Sequence, residues 1–214
     1  MQRIAVLGSG NVGTVLSGGF LKHGYDVVRG SREPAKLAAW LANAGAKART
    51  ATFAEAARAA EIVVLAVKGD AAQAVLDLTG ADALRGKVVI DTTNPIAAVP
   101  PVNGVLRFFT SLDESLMERL QRHVPGARFV KAFSCVGNAL MVNPSLPGGP
   151  PTMFICGNDA AAKDDVRAIL ERFGWAIEDL GAVEAARAIE PLCILWCIPA
   201  MRGQGSAHAL KMLR

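Results

Sequence analysis

Cysteine, histidine and tyrosine are all scarce in this chain, and their scarcity removes whole classes of chemistry. The four cysteines, at positions 135, 156, 193 and 197, show neither C-x-x-C spacing nor a nearby histidine cluster. No metal site and no disulfide framework is indicated, so buried free thiols in a reducing compartment are expected. Three histidines and one tyrosine leave little for general acid–base work. Lysine and arginine exceed aspartate and glutamate by 23 to 19, but they are scattered and accompanied by few aromatics, so no nucleic-acid surface is expected. The most apolar run, Pro191 to Met201, contains two prolines and is too short for a membrane span of ~20 residues. It reads as core or subunit interface. The start of the chain has no charged, apolar and cleavable leader pattern, which gives an expectation of a cytoplasmic protein. Internal repeats, low-complexity runs and heptads are also missing.

What is present begins at the fourth residue. Ile4 to Leu7 is a short apolar run of the kind buried on both faces of a parallel sheet, and Gly8-Ser-Gly-Asn-Val-Gly13 follows at once. Behind it Val12, Val15, Leu16 and Phe20 recur at helical spacing. A glycine pattern placed between a strand and a helix is the dinucleotide fingerprint in its proper context. Gly8 permits the tight turn, Gly10 clears the backbone for a pyrophosphate, and Gly13 lets the helix sit close on the sheet. The pyrophosphate is expected at the N-terminus of that helix, where free N–H groups and the positive dipole end meet it.

The second strand, Tyr25 to Val28, ends in Arg29-Gly-Ser-Arg32. A site preferring NAD would place an acid here to accept hydrogen bonds from the ribose 2′-OH. Ser31 and Arg32 suit a 2′-phosphate instead, with Lys36 one turn further on, so NADP(H) is the expected cofactor. Pro34 should open a helix whose buried face is Leu37, Trp40 and Leu41.

Three further strand ends should reach the edge where ligands bind in such sheets. Glu61 to Val67 leads into Lys68; Lys87 to Ile90 leads into Asp91-Thr-Thr-Asn-Pro95; Ala127 to Phe133 leads into Ser134. Lys68 could touch phosphate or substrate and could equally be a loop lysine, and Asn94 with Pro95 make a rigid turn suited to the nicotinamide side. Cys135 has no histidine partner and reads as a buried thiol. Residues 96–109 read as a loop, and Ser111 with Glu114 as the capping box of the next helix. Asn143 to Pro151, with four prolines and two glycines, reads as a linker. The expected organisation is a Rossmann-type, doubly wound α/β sheet, mostly parallel, over residues 1–143, and a small C-terminal α/β-helical extension over 144–214. Its end, from Val183, should be mostly helical, with an apolar stretch suited to a homodimer interface.

With these motifs in order, the chain resembles the coenzyme F420-dependent NADP oxidoreductases, and also the NADPH-binding domain of the six-transmembrane epithelial metalloreductases. The matching stretches are Ile4 to Gly13, Gly30-Ser-Arg32, Ile62 to Val67, Asp91 to Pro95, Val130-Lys-Ala-Phe133 and Ala186 to Leu192. The resemblance implies a homodimer holding NADP(H) on the glycine loop, with a flavin or deazaflavin facing the nicotinamide. It implies Ser9 to Val12 at the pyrophosphate, Ser31, Arg32 and Lys36 at the 2′-phosphate, and Val67, Asn94 and Ala132 at the nicotinamide. Lys68-Gly69 and Ser134 depart from the family, which carries Pro-Trp and a histidine there, near the second cofactor. Hydride transfer between two rings needs alignment and exclusion of water more than an acid or base, in keeping with the scarcity above. Two rivals remain: an imine or 3-hydroxy acid reductase with Lys68 or Lys131 as proton donor, and a non-catalytic NADP sensor.

Overall fold

The computed structural model describes residues 2–214. Strands and helices alternate along the chain: β1 (Arg3–Leu7), α1 (Asn11–Lys22), β2 (Asp26–Gly30), α2 (Ala38–Ala44), β3 (Ala48–Ala51), α3 (Phe53–Arg58) and β4 (Ile62–Leu65). There follow α4 (Ala72–Thr79), α5 (Ala81–Leu84), β5 (Val88–Asp91), α6 (Leu116–His123) and β6 (Arg128–Lys131). The last part comprises β7 (Thr152–Ile155), α7 (Ala160–Arg172), β8 (Ala176–Asp179), α8 (Ala186–Ile189) and α9 (Leu192–Met201).

Side chains alternate across a strand, so an apolar run must find cover on both faces. Ala5, Leu7, Val63, Leu65, Val89 and Phe129 face one core, covered mainly by α3 to α6 and α8. Ile4, Val6, Ile62, Val64, Val88, Ile90 and Val130 face the other, covered by α1 and α7. In α1 the fully buried Leu16 and Phe20 each contribute roughly 1.5–3 kcal/mol of apolar burial. The six parallel strands run in the order β3-β2-β1-β4-β5-β6, a doubly wound Rossmann sheet. The order reverses between β1 and β4, and the ends of these two strands flank the crevice where such sheets take their ligands.

β7 and β8 form a two-stranded parallel sheet, joined to the first by an antiparallel bridge between Lys131 and Cys156. Met153 and Ile155 enter the second core, Phe154 and Cys156 the first.

Several elements shift from their expected places. The capping box lies one turn later than the Ser111–Glu114 pair: Ser115 caps α6 with Glu118 as its partner. Both pairs have the S-x-x-E spacing, but only Ser115 precedes an apolar face, with Leu116, Met117 and Leu120 buried, whereas Ser111 Oγ merely accepts from the Asp113 N–H. Pro34 to Leu37 form a 3-10 turn before α2, and of the three apolar residues expected on one buried face only Leu37 is buried. The helical end stops at Met201, where Gly203 and Gly205 take φ of 79° and 83°. The tail then returns to β7, where Thr152 N–H donates to the Leu210 carbonyl. Among the described residues no helix is long and apolar enough to cross a membrane.

Candidate active site

The glycine turn sits in the β1–β4 crevice and is fixed by close contact. Gly8, at φ 142°, donates its N–H to the Gly30 carbonyl at 3.0 Å, and a Cβ there would lie 2.1 Å from the Ala66 carbonyl oxygen. A Cβ on Gly13 would lie 2.7 Å from the Gly8 carbonyl oxygen, so only glycine lets α1 start this near the sheet. At Gly10 a Cβ would meet no protein atom within 4 Å. Ser9 and Asn11 are exposed beside it, while Val12 is half-buried. The open side of the turn, the first N–H groups of α1 and the small residues around them fit a pyrophosphate.

On one side of the turn lies a cavity of about 190 Å³. Gly8, Ser9, Ser31, Arg32, Lys36 and Val67 line it, as do Phe53, Ala74 and Leu78. It therefore has a cationic rim and an apolar floor. Ser31 Oγ accepts from the Glu33 N–H at 3.2 Å, which leaves the hydroxyl proton free to donate to a ligand. Glu33 shares the rim: Lys36 Nζ donates to its Oε1 at 2.8 Å, and this lysine holds the Glu33 carboxyl below its ordinary pKa. Both partners are exposed, so the pair is weak and readily exchanged for a phosphate.

A second cavity, of about 300 Å³, opens at the ends of β4 and β5 and shares Val67 as a wall with the first. Lys68, Asp70, Thr92, Asn94 and Ile96 line it. Lys68 is exposed at its rim. Asn94 Nδ2 donates to the Ser134 carbonyl at 3.1 Å, drawing the ends of β5 and β6 together, while Asn94 Oδ1 and Ser134 Oγ are buried without a partner. Pro95 and Ala132 are buried and line neither cavity. Phe133, fully packed, takes φ 64°, a conformation that costs a bulky residue energy and turns the chain sharply toward Ser134.

Beneath the second cavity lies a buried ionic network. Lys131 Nζ donates to Asp91 Oδ2 and the Thr93 carbonyl, each at 2.8 Å, and lies 2.8 Å from Glu190 Oε1. Burial opposes the charge on Lys131, but the two carboxylates more than offset that and raise its pKa above the ordinary value. Fully enclosed and holding its proton, Lys131 cannot reach a substrate, which removes it as the proton donor of an imine reductase. Cys135 is buried beside Ser134, and desolvation pushes its thiol up to about 11, so it is no nucleophile.

Sequence reasoning missed the network and also Arg29, Glu33 and Phe53. Glu190 lies 59 positions from Lys131, and nothing in local spacing pairs them; Arg29 lies in the second strand, where sequence alone does not distinguish it from a solvated arginine.

A family model described as "NADP oxidoreductase coenzyme F420-dependent" matches residues 3–95. The F420-dependent NADP reductase of Methanothermobacter marburgensis is 30% identical over 202 residues, which cover 89% of each chain. The metalloreductase STEAP3 of Rattus norvegicus is 28% identical over 208 residues, 95% of this chain; the chain spans only 39% of that relative's length. The crystal structure of a candidate F420-dependent NADP-reductase from Arthrobacter sp. FB24 superposes with a TM-score of 0.93 at 33% identity, covering all of both chains.

Proposed function

This chain belongs to the F420-dependent NADP oxidoreductase family, and on that premise we propose that it passes a hydride between NADP(H) and a flavin or deazaflavin. Its being an NADP-dependent oxidoreductase follows from the family; the acceptor and the residues that serve it are our reading. The observation that carries the reading is the pair of cavities sharing Val67 at the carboxyl edge of the sheet, one with a cationic rim and one whose lining includes Lys68 and Asp70 but no histidine, tyrosine or cysteine.

Ser31, Arg32 and Lys36 take the 2′-phosphate, and the Gly8–Gly13 turn with Ser9, Asn11 and Val12 takes the pyrophosphate. Val67, Lys68, Asn94, Pro95 and Ala132 form or support the nicotinamide side, although only the first three reach a cavity. When bound, the nicotinamide supplies the hydride, which reduces the acceptor ring as NADPH becomes NADP⁺. The protein aligns the two and keeps water out. Lys68, at the rim of the second cavity, orients an acceptor and is not required as an acid, whereas Ser134 is buried behind Asn94, lines neither cavity and acts only through that contact.

The nucleotide unit spans residues 1–143, and residues 144–214 supply the face for a second copy of the chain. Its support is α9, apolar on every side with only Cys193 buried, and the adjoining loop, where Val102 and Leu112 are 72% and 76% exposed. Purified protein mixed with NADPH should reduce riboflavin, flavin mononucleotide or a deazaflavin. Binding of NADPH without oxidation by any of them would refute the acceptor class, and turnover of a cyclic imine instead would favour the imine reductase.

A further inference from the structure

Arg29 is a buried cation with no buried anion beside it. Its side chain leaves β2 and runs beneath the Gly8–Gly10 turn, where the residue is 1% exposed. Nε donates to the Gly8 carbonyl at 3.1 Å; Nη2 donates to the Gly10 carbonyl at 3.0 Å and to Thr14 Oγ1 at 2.8 Å. Trp40 closes another side, its ring centroid 5.1 Å from the guanidinium carbon. Among the described residues no carboxylate pairs with Arg29, and burial lowers its pKa. The group nonetheless stays protonated at any ordinary pH.

Carbonyl dipoles and an indole face replace water around this charge, but not a counter-charge, so on its own the arrangement is costly. Its position supplies the reason. A trans peptide points its C=O and its N–H in opposite directions. Arg29 draws the Gly8 and Gly10 carbonyls inward, which turns the N–H groups of Ser9 and Asn11 outward, to the side where a Cβ on Gly10 would meet open space. Two donors thus face the side assigned to the pyrophosphate, and a full positive charge lies one peptide layer behind them.

We infer that Arg29 is a positioning and specificity residue for the dinucleotide's pyrophosphate, presetting the Ser9 and Asn11 N–H groups from beneath the turn and supplying a charge that the pyrophosphate neutralises. The inference rests on the reading that this turn holds NADP(H). The usual fingerprint relies on backbone and helix end alone. Here a side chain of the second strand strengthens it.

The test titrates wild type, Arg29→Met and Arg29→Lys with NADPH and with adenosine 2′-monophosphate, which engages the Arg32 side but has no pyrophosphate. Arg29→Met should raise the Kd for NADPH roughly tenfold or more, and that for adenosine 2′-monophosphate less than about twofold. Arg29→Lys should fall between, since a compact ammonium keeps the charge but cannot span both carbonyls. An unchanged Kd for NADPH, or equal losses for both ligands, overturns the inference. If the methionine variant does not fold, the lysine variant is titrated with the same two ligands, and an unchanged NADPH Kd or equal losses overturn the inference there too. Wild-type protein that binds neither ligand would instead overturn the NADP site itself.

Discussion

The Lys131 ammonium donates to Asp91 Oδ2 at 2.8 Å with both side chains fully enclosed. Glu190, from the end of α8, closes the network and also accepts the Leu116 and Met117 N–H groups at 2.9 and 3.0 Å. One cation therefore ties the ends of β5 and β6 to the first turn of α6 and to the C-terminal part of the chain. Lys131→Met leaves two buried carboxylates unpaired and should cost about 3–5 kcal/mol in urea unfolding. A loss below about 1 kcal/mol would show that the network does not hold these elements.

Arg32 and Lys36 should govern the choice between NADPH and NADH. Arg32→Ala should weaken NADPH roughly tenfold while leaving NADH nearly unchanged, the worth of a lost charge-assisted bond to phosphate. Lys36→Ala should do less, because Lys36 is exposed and shared with Glu33. Equal weakening of both nucleotides in Kd measurements would move the 2′-phosphate away from this rim.

Acid should destabilise the fold through Glu118. Hydrogen bonds from Arg187 Nε, at 3.0 and 3.1 Å, and from Ser115 hold this carboxyl near 2, against an ordinary value of 4.5. A folded-state pKa below the unfolded one gives stability that is complete above about pH 4.5 and is lost as pH falls toward 2. The amount is at most about 3 kcal/mol, and less in practice because Arg187 is 41% exposed. Glu118→Gln should flatten the stability profile across that window. An unchanged profile in acid unfolding would place the sensitivity elsewhere.

The thiols should react in a fixed order. Desolvation pushes Cys135 up to about 11 and Cys156 up to about 12, whereas Cys197 is half-buried and lowered by the neighbouring Cys193 thiol. With an alkylating reagent at mildly alkaline pH and the protein diluted to the single chain, peptide mapping should find Cys197 labelled first and Cys135 and Cys156 protected until the protein unfolds. Early labelling of Cys135 would contradict its packing.

The sheet and the first cavity were legible in the sequence because their signals are local. A strand, three glycines and a helix stand within twenty residues, and Ser31, Arg32 and Lys36 follow at the end of the next strand; the structure brings the last three to one cavity with Gly8 and Ser9. The helix cap of α6 was misplaced by one turn because two S-x-x-E pairs lie four residues apart and only tertiary burial separates them. Arg29, Asp91, Lys131 and Glu190 were not legible as a system, since charge burial depends on contacts between distant segments. Lys131 shows the difference most clearly: in sequence it was a candidate donor, and in the fold it is a buried counter-ion.

The most direct test of hydride transfer is a single-turnover reaction of this protein with NADPH, unlabelled or carrying deuterium at nicotinamide C4, mixed with flavin mononucleotide, riboflavin or deazaflavin. Hydride transfer predicts rapid loss of nicotinamide absorbance with one of these acceptors, slowed by the label, and deuterium recovered on the carbon of the reduced ring where the acceptor is a deazaflavin. NADPH that binds tightly and stays reduced with every acceptor would contradict it.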